Sequence, residues 1–381
     1  MSQRNVAAFV WLISSCATAG SAPNHSVQPA ASESSPPMAA EPTESPPTAA
    51  EESNASPIAA EATTPLMAAG PVDDDERFRD VVTDQGQRAH GLYFTELTVA
   101  RLGAKGIIHA VRGAGLDAAV IDIKDQDGRV AYDTHVEVLA PERHVVVRDM
   151  PALLRELKSA GVYTIARIAC FSDETLPRKR PDLSVMDSRP SRAGEIWNAH
   201  RNNSWLDPSN ETNQDMVVAI ASEAESLGFD EVQLDYIRFP VDAGTVNARF
   251  PSQGERTRSQ VLLGLLRRVD ETLHIPLGVD VFGVAAIRRG DPEGLGQSLD
   301  EWAKYVEVFS PMLYVNGMKP WMRNKTQGRA GLLVEMAVHA LRQRVGGGPV
   351  IRPFLQAFER GADYFNSEFI AEQIRGARSG G

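Results

Sequence analysis

Several short apolar runs of this 381-residue chain each carry one or two polar side chains that could do chemistry. Asp122 and Lys124 lie in Val120-Ile-Asp-Ile-Lys-Asp125, and Arg167 interrupts Ile165-Ala-Arg-Ile-Ala-Cys-Phe171. Gln233 and Asp235 lie in Glu231-Val-Gln-Leu-Asp-Tyr236, with Arg238 just beyond. Asp280 sits in Leu277-Gly-Val-Asp-Val-Phe282, Tyr314 ends Ser310-Pro-Met-Leu-Tyr314, and Gln356 follows Arg352-Pro-Phe-Leu355. Burying a carboxylate is costly unless it is paired or hydrated, so acids at the ends of apolar runs need a reason. Asp235 and Asp280 form the sharpest pair. One carboxyl can protonate a leaving glycosidic oxygen while the other attacks the anomeric carbon or activates water. A neighbouring Arg167 or Lys124 would hold one acid ionised, and burial would raise the other. The blander reading is a set of Asp–Lys and Asp–Arg pairs that only neutralise one another.

The elements needed to bring these residues together are strands. Apolar runs at Gly91–Thr95, Ala118–Ile123, Tyr163–Ala169, Glu231–Tyr236, Leu277–Phe282, Val306–Tyr314 and Val350–Leu355 alternate with amphipathic helical segments. Repeated strand–helix units imply parallel strands, and near-continuous apolar character implies strands covered on both faces. No Gly-rich nucleotide fingerprint follows the first strand, which counts against a dinucleotide-binding sheet. A TIM-type (β/α)8 barrel fits better, because such barrels gather one polar residue per strand at their carboxyl ends. Seven strands are legible, and the eighth is not. Either the barrel is open at one seam or the chain is truncated relative to its relatives, and an open seam would leave an unpaired edge that lowers stability or promotes association. Tyr236, Trp205, Tyr314 and Trp321 are the aromatics placed to stack on a sugar face. Trp205, Gln233, Arg238, Tyr314 and Gln356 are expected to bind substrate alongside Asp122, Lys124 and Arg167.

The N-terminal segment reads differently. Arg4 precedes the apolar run Val6 to Ile13, too short to span a bilayer, and Ile13-Ser-Ser-Cys16 has the form of a lipobox. Residues 1–15 are expected to be a signal peptide, Cys16 a lipidation site, and the location the bacterial cell envelope, with plain secretion as the alternative. Residues 17–75 carry nine Asp/Glu, no Lys or Arg and no aromatic residue, as expected of a disordered tether. Residues 76–381 carry 38 Lys+Arg against 41 Asp+Glu, and no basic patch points to nucleic acid. The eight histidines show no ligand spacing and no cysteine cluster exists, so neither metal nor other cofactor is expected. Cys170 lies in an apolar run and is expected to be buried.

From about Arg88 onward the chain resembles the putative glycosyl hydrolase barrels of bacteria. The resemblance rests on His90-Gly-Leu-Tyr93, Val120-Ile-Asp-Ile-Lys-Asp-Gln-Asp-Gly128, Ala166-Arg-Ile168, Arg180-Pro-Asp-Leu183, Trp205-Leu-Asp-Pro208, Gly228-Phe-Asp-Glu-Val-Gln-Leu-Asp-Tyr-Ile-Arg-Phe-Pro240, Asp280-Val-Phe-Gly283 and Ser310-Pro-Met312. It implies a barrel over residues 84–381, distantly similar to the alpha-amylase clan. In that clan the fourth strand supplies an aspartate nucleophile, a position held by Asp235. The fifth strand supplies a glutamate acid; here the residue is Asp280, one methylene shorter. The implied activity is hydrolysis of a cell-envelope or extracellular polysaccharide. A barrel that binds glycans without cleaving them is the alternative.

Overall fold

The computed structural model describes residues 81–198, 204–241, 245–291, 294–318, 328–362 and 364–381. The expected signal peptide, Cys16, the expected acidic tether and Trp321 lie outside the described residues.

The sheet is parallel and curled, and its strands follow one another in sequence order. They are β1 (Gly91–Phe94), β2 (Ala118–Lys124), β3 (Tyr163–Ala169), β4 (Glu231–Asp235), β5 (Leu277–Phe282), β6 (Val308–Leu313), β7 (Val350–Ile351) and β8 (Phe354–Leu355). Strands β7 and β8 both pair with β6 and together occupy the expected seventh position. The break falls at Arg352-Pro353, because proline has no N–H to donate to the ladder. Every residue of β2, β3 and β4 is buried, as a sheet covered on both faces requires.

Helices α1 (Glu96–Gly113), α2 (Met150–Ser159), α3 (Glu211–Leu227), α4 (Arg258–Thr272), α5 (Leu299–Trp302), α6 (Arg329–Val345) and α7 (Ser367–Gly380) cover the outer face. Thr95 caps α1 by accepting from the Thr98 amide, and Asn210 caps α3 through the Thr212 and Asn213 amides. Helix α1 starts at Glu96, directly after β1. A non-helical Gly103, with φ of 59°, divides it into an early turn and the segment legible in the sequence.

Among the described residues no strand pairs with the free edge of β1, so the barrel is open between β1 and β8. Side chains rather than backbone span the seam. Phe354 and Tyr93 pack against one cluster of Ala89, Ala118, Val120, Tyr163 and Ile165, and Arg352 Nη2 donates to the Gly86 carbonyl at 2.6 Å. An interior crossed in this way shields part of the edge that unpaired backbone would otherwise expose.

Candidate active site

Parallel register fixes the depth of each candidate side chain. Asp122 of β2 sits opposite Arg167 of β3, and Arg167 opposite Gln233 of β4. Leu234 pairs with Val279, so the next residues along, Asp235 and Asp280, end neighbouring strands at matching depth. Asp280 in turn pairs with Ser310 of β6.

One guanidinium gathers three carboxyls. Arg167 Nη1 donates to Asp122 Oδ1 at 2.5 Å, while Nε and Nη2 both donate to Asp235 Oδ2, at 3.1 and 2.5 Å. Asp280 Oδ2 lies 3.8 Å from the same Nε. Because Nε is 3.1 Å from one Oδ2 and 3.8 Å from the other, the Asp235 and Asp280 oxygens are at most ~6.9 Å apart. Tyr93 from β1 completes the layer by donating its hydroxyl to Asp122 Oδ2 and stacking under the guanidinium, 5.3 Å from its ring centre.

Three carboxyls on one cation cannot all be neutralised, and their protonation follows. Burial, then the Asp235 carboxylate, pushes the Asp280 carboxyl well above the usual range; Arg167 only partly opposes this. Burial also raises Asp122, against the pull of Arg167 and the Tyr93 hydroxyl. Burial works against the Arg167 charge, but Asp122 and Asp235 outweigh it and hold the guanidinium protonated. The arrangement keeps one carboxyl as a proton donor beside another that is ion-paired. Of the three, Asp235 is the most exposed, at 6% against 1% for Asp122 and Asp280.

The backbone turns abruptly after Asp235. Tyr236 has φ of 51°, an uncommon conformation for an aromatic residue, and its amide donates back to Asp235 Oδ1 at 2.6 Å. Half-buried Tyr93, Tyr236, Phe282 and Tyr314 sit at the same ends of the strands. Asp280 and Asp235 both act on the Tyr314 phenol, whose pKa burial raises first of all. Arg238 lies between Trp205, Tyr236 and Phe282, 4.6, 5.5 and 4.7 Å from their ring centres.

Four expected substrate contacts are engaged within the protein instead. A register shift between Asp122 and Lys124 breaks the two-residue alternation. Lys124 is instead fully buried, bonded to Asp173 Oδ2 at 2.9 Å and to the Ala169 carbonyl at 3.0 Å. The same knot explains Gly128, which has φ of 92°: a Cβ there would lie 2.2 Å from Asp173 Oδ1. Trp205 is buried under Arg238 and meets Tyr236 edge-on, so its indole face is covered. Gln356 accepts from the Asn316 amide at 2.8 Å and donates to the Phe358 and Arg360 carbonyls, tying down a loop. Gln233 is buried and donates to Asp280 Oδ1 at 2.7 Å.

Tyr93 and Glu96 were missed. Both follow from extending the strand-end rule to β1, the strand left without a polar residue in the sequence reading. Glu96, 5% exposed, opens α1 directly after β1. Burial, then Asp125 and Asp122, pushes its carboxyl up to about 7. Among the described residues no cluster of His, Cys, Asp or Glu has the spacing to hold a metal ion.

The glycoside hydrolase domain of PgaB (BpsB) from Bordetella bronchiseptica has the same fold, with 14% identity over 77% of this chain and 91% of that one, and a TM-score of 0.52. A hypothetical protein from Ruminiclostridium thermocellum is 31% identical over 50% of this chain and 97% of its own, with a TM-score of 0.44. An alpha-galactosidase from Thermus thermophilus is 14% identical over 77% of this chain and 56% of its own, with a TM-score of 0.46. No curated protein matches the chain. The family model described as "Putative glycosyl hydrolase domain" matches residues 91–381. The chain belongs to that family, and its barrel is glycoside-hydrolase-like.

Proposed function

We propose that the barrel hydrolyses a glycosidic bond of a cell-envelope or extracellular polysaccharide through Asp235 and Asp280. One observation carries the reading: two carboxyls on adjacent strands, no more than ~6.9 Å apart, of which Asp280 is held protonated beside an Asp235 paired with Arg167. That ceiling lies below nearly all of the ~6.5–9.5 Å spacing of inverting enzymes, so it favours direct attack with retention. Asp280 passes its proton to the glycosidic oxygen as the bond to the anomeric carbon breaks, its electron pair staying on that oxygen. An Asp235 oxygen forms the new bond to the anomeric carbon. Asp280 then takes a proton from water, whose oxygen displaces Asp235. Tyr236 and Tyr314 offer rings to the sugar faces. Arg167 holds Asp235 and Asp122 in place, and Arg238 is fixed beside them.

The N-terminal pattern fits a protein tethered through Cys16 to the bacterial envelope by the acidic segment. Globomycin-sensitive processing and incorporation of labelled palmitate, lost in Cys16→Ser, are the expected signs of the anchor.

The deciding experiment is Asp235→Asn tested against a panel of envelope and capsular glycans. Turnover should fall at least ~1,000-fold with binding retained, because the nucleophile goes but the pocket stays. The near-complete burial of Asp280 favours a second reading, a barrel that binds glycan without cleaving it. Binding to one glycan with no turnover by the unmodified protein would select that reading.

A further inference from the structure

Gln233 Oε1, Asp280 Oδ2 and Ser310 Oγ are buried without a donor to any of them among the described residues, and the Asp280 carboxyl has the Asp235 carboxyl within hydrogen-bond reach. Buried orphans of this kind are uncommon, and these three come from neighbouring strands β4, β5 and β6. Each parent residue is 1% exposed. Only one direct bond joins the group: Gln233 Nε2 donates to Asp280 Oδ1 at 2.7 Å.

That bond is asymmetric. A carboxamide nitrogen can donate but not accept, so Oδ1 must present a lone pair, and the proton of a neutral Asp280 belongs on Oδ2. The groups around Asp280 are Asp235 and Gln233 from β4, Arg167 from β3, Asp122 from β2, Ser310 from β6 and Tyr314 just after it. Gln297 also donates to the Asp280 backbone carbonyl at 3.4 Å. Arg167 is a donor and repels a proton; the Asp235 carboxylate attracts one.

We infer that Gln233 is a positioning residue, which holds the proton of Asp280 on Oδ2, the oxygen 3.8 Å from Arg167 Nε, rather than a contact to the glycan. The inference rests on the hydrolase reading only in that this proton is the one delivered to the leaving group. Gln233 acts through Asp280: its N–H bond to Oδ1 also stabilises the anion left after proton transfer.

The test reads Asp280 directly. In protein labelled with 13C at aspartate carboxyls, the Asp280 signal is assigned by its loss in Asp280→Asn and then followed against pH. Gln233→Met removes the donor at similar volume, so the Asp280 inflection should move to higher pH. An inflection that stays put or moves down overturns the inference, because the amide would then be idle or accepting the proton. If Gln233→Met does not fold, the unmodified protein still answers. The Gln233 side-chain amide protons should shift with the same inflection as the Asp280 carbon, and amide signals that ignore it overturn the proposal. Failure of the hydrolase reading looks different: turnover survives in Asp235→Asn, whereas the effect of Gln233→Met on the Asp280 titration is read with Asp235 intact.

Discussion

The barrel interior contains two arginine–carboxylate layers, and they are built on opposite principles. Near the amino ends of the strands, Arg352 Nη1 meets Glu231 Oε1 at 2.8 Å and Tyr163 donates to Glu231 Oε2 at 3.2 Å. One cation faces one anion, and the second guanidinium arm, Nη2, is taken up by the Gly86 carbonyl. Near the carboxyl ends, Arg167 faces Asp122, Asp235 and Asp280 together. The lower layer is matched in charge, and among the described residues Arg352 Nε is its one atom without a hydrogen-bond partner. The upper layer keeps an excess of carboxyls, an Asp280 carboxyl that burial and Asp235 push well above its usual range, and a left-handed Tyr236. The difference shows why arginine and acid inside a barrel do not by themselves mark a site. Stoichiometry and position along the strand separate a brace from a reaction centre.

Removing the two arginines should separate the layers most sharply. Arg167→Met leaves three carboxyls without their cation and should cost roughly 3–5 kcal/mol at neutral pH, together with all turnover. In urea denaturation the loss should shrink on acidification, as the carboxylates left without a cation bind protons. A loss that is independent of pH would mean that Arg167 serves packing alone. The lower layer should tolerate exchange for apolar groups of similar volume. Glu231→Met with Arg352→Met should leave stability within ~2 kcal/mol and kcat/KM within a few-fold. A collapse of kcat/KM in that folded variant would make both layers functional and end the distinction.

Glu96 tests the carboxyl-end layer more gently. Its folded-state carboxyl lies at about 7, against 4.5 without the fold, so folding takes up a proton. Its contribution is fully present below the unfolded value and is lost as pH rises from 4.5 through 7. Glu96→Gln should flatten the fall in stability across that window, an effect on the order of 2 kcal/mol. An unchanged melting profile between pH 4.5 and 7 would remove Glu96 from the layer. The smallest effect is expected for Tyr93→Phe. It removes one hydroxyl from Asp122 and should cost about 1–2 kcal/mol while leaving the Asp235–Arg167 pair intact.

Much of the fold was legible because apolar runs of strand length alternate with helices of 3.6-residue period, and neither signal needs tertiary context. Asp122, Arg167, Asp235 and Asp280 were legible for a related reason: a charged residue inside such a run has few tolerable fates. Lys124 was misjudged because one bulge undoes the two-residue alternation, and a bulge leaves no mark in composition. Trp205 and Gln356 were misjudged because a ring or an amide reads the same whether it lines a cleft or fastens a loop. Glu96 was missed because it stands at a helix start, where an acid already has a local reason to be. The split of the seventh strand could have been seen at Pro353.

The sequence by itself determined that strands would carry acids to one end of a curled parallel sheet, since residue spacing within a strand is a local property. Only the tertiary structure decided how those acids share one guanidinium. The register between strands sets which side chains are neighbours, and burial, together with the charges brought near, sets which carboxyl keeps its proton. Both depend on residues tens of positions apart, so no window along the chain contains them.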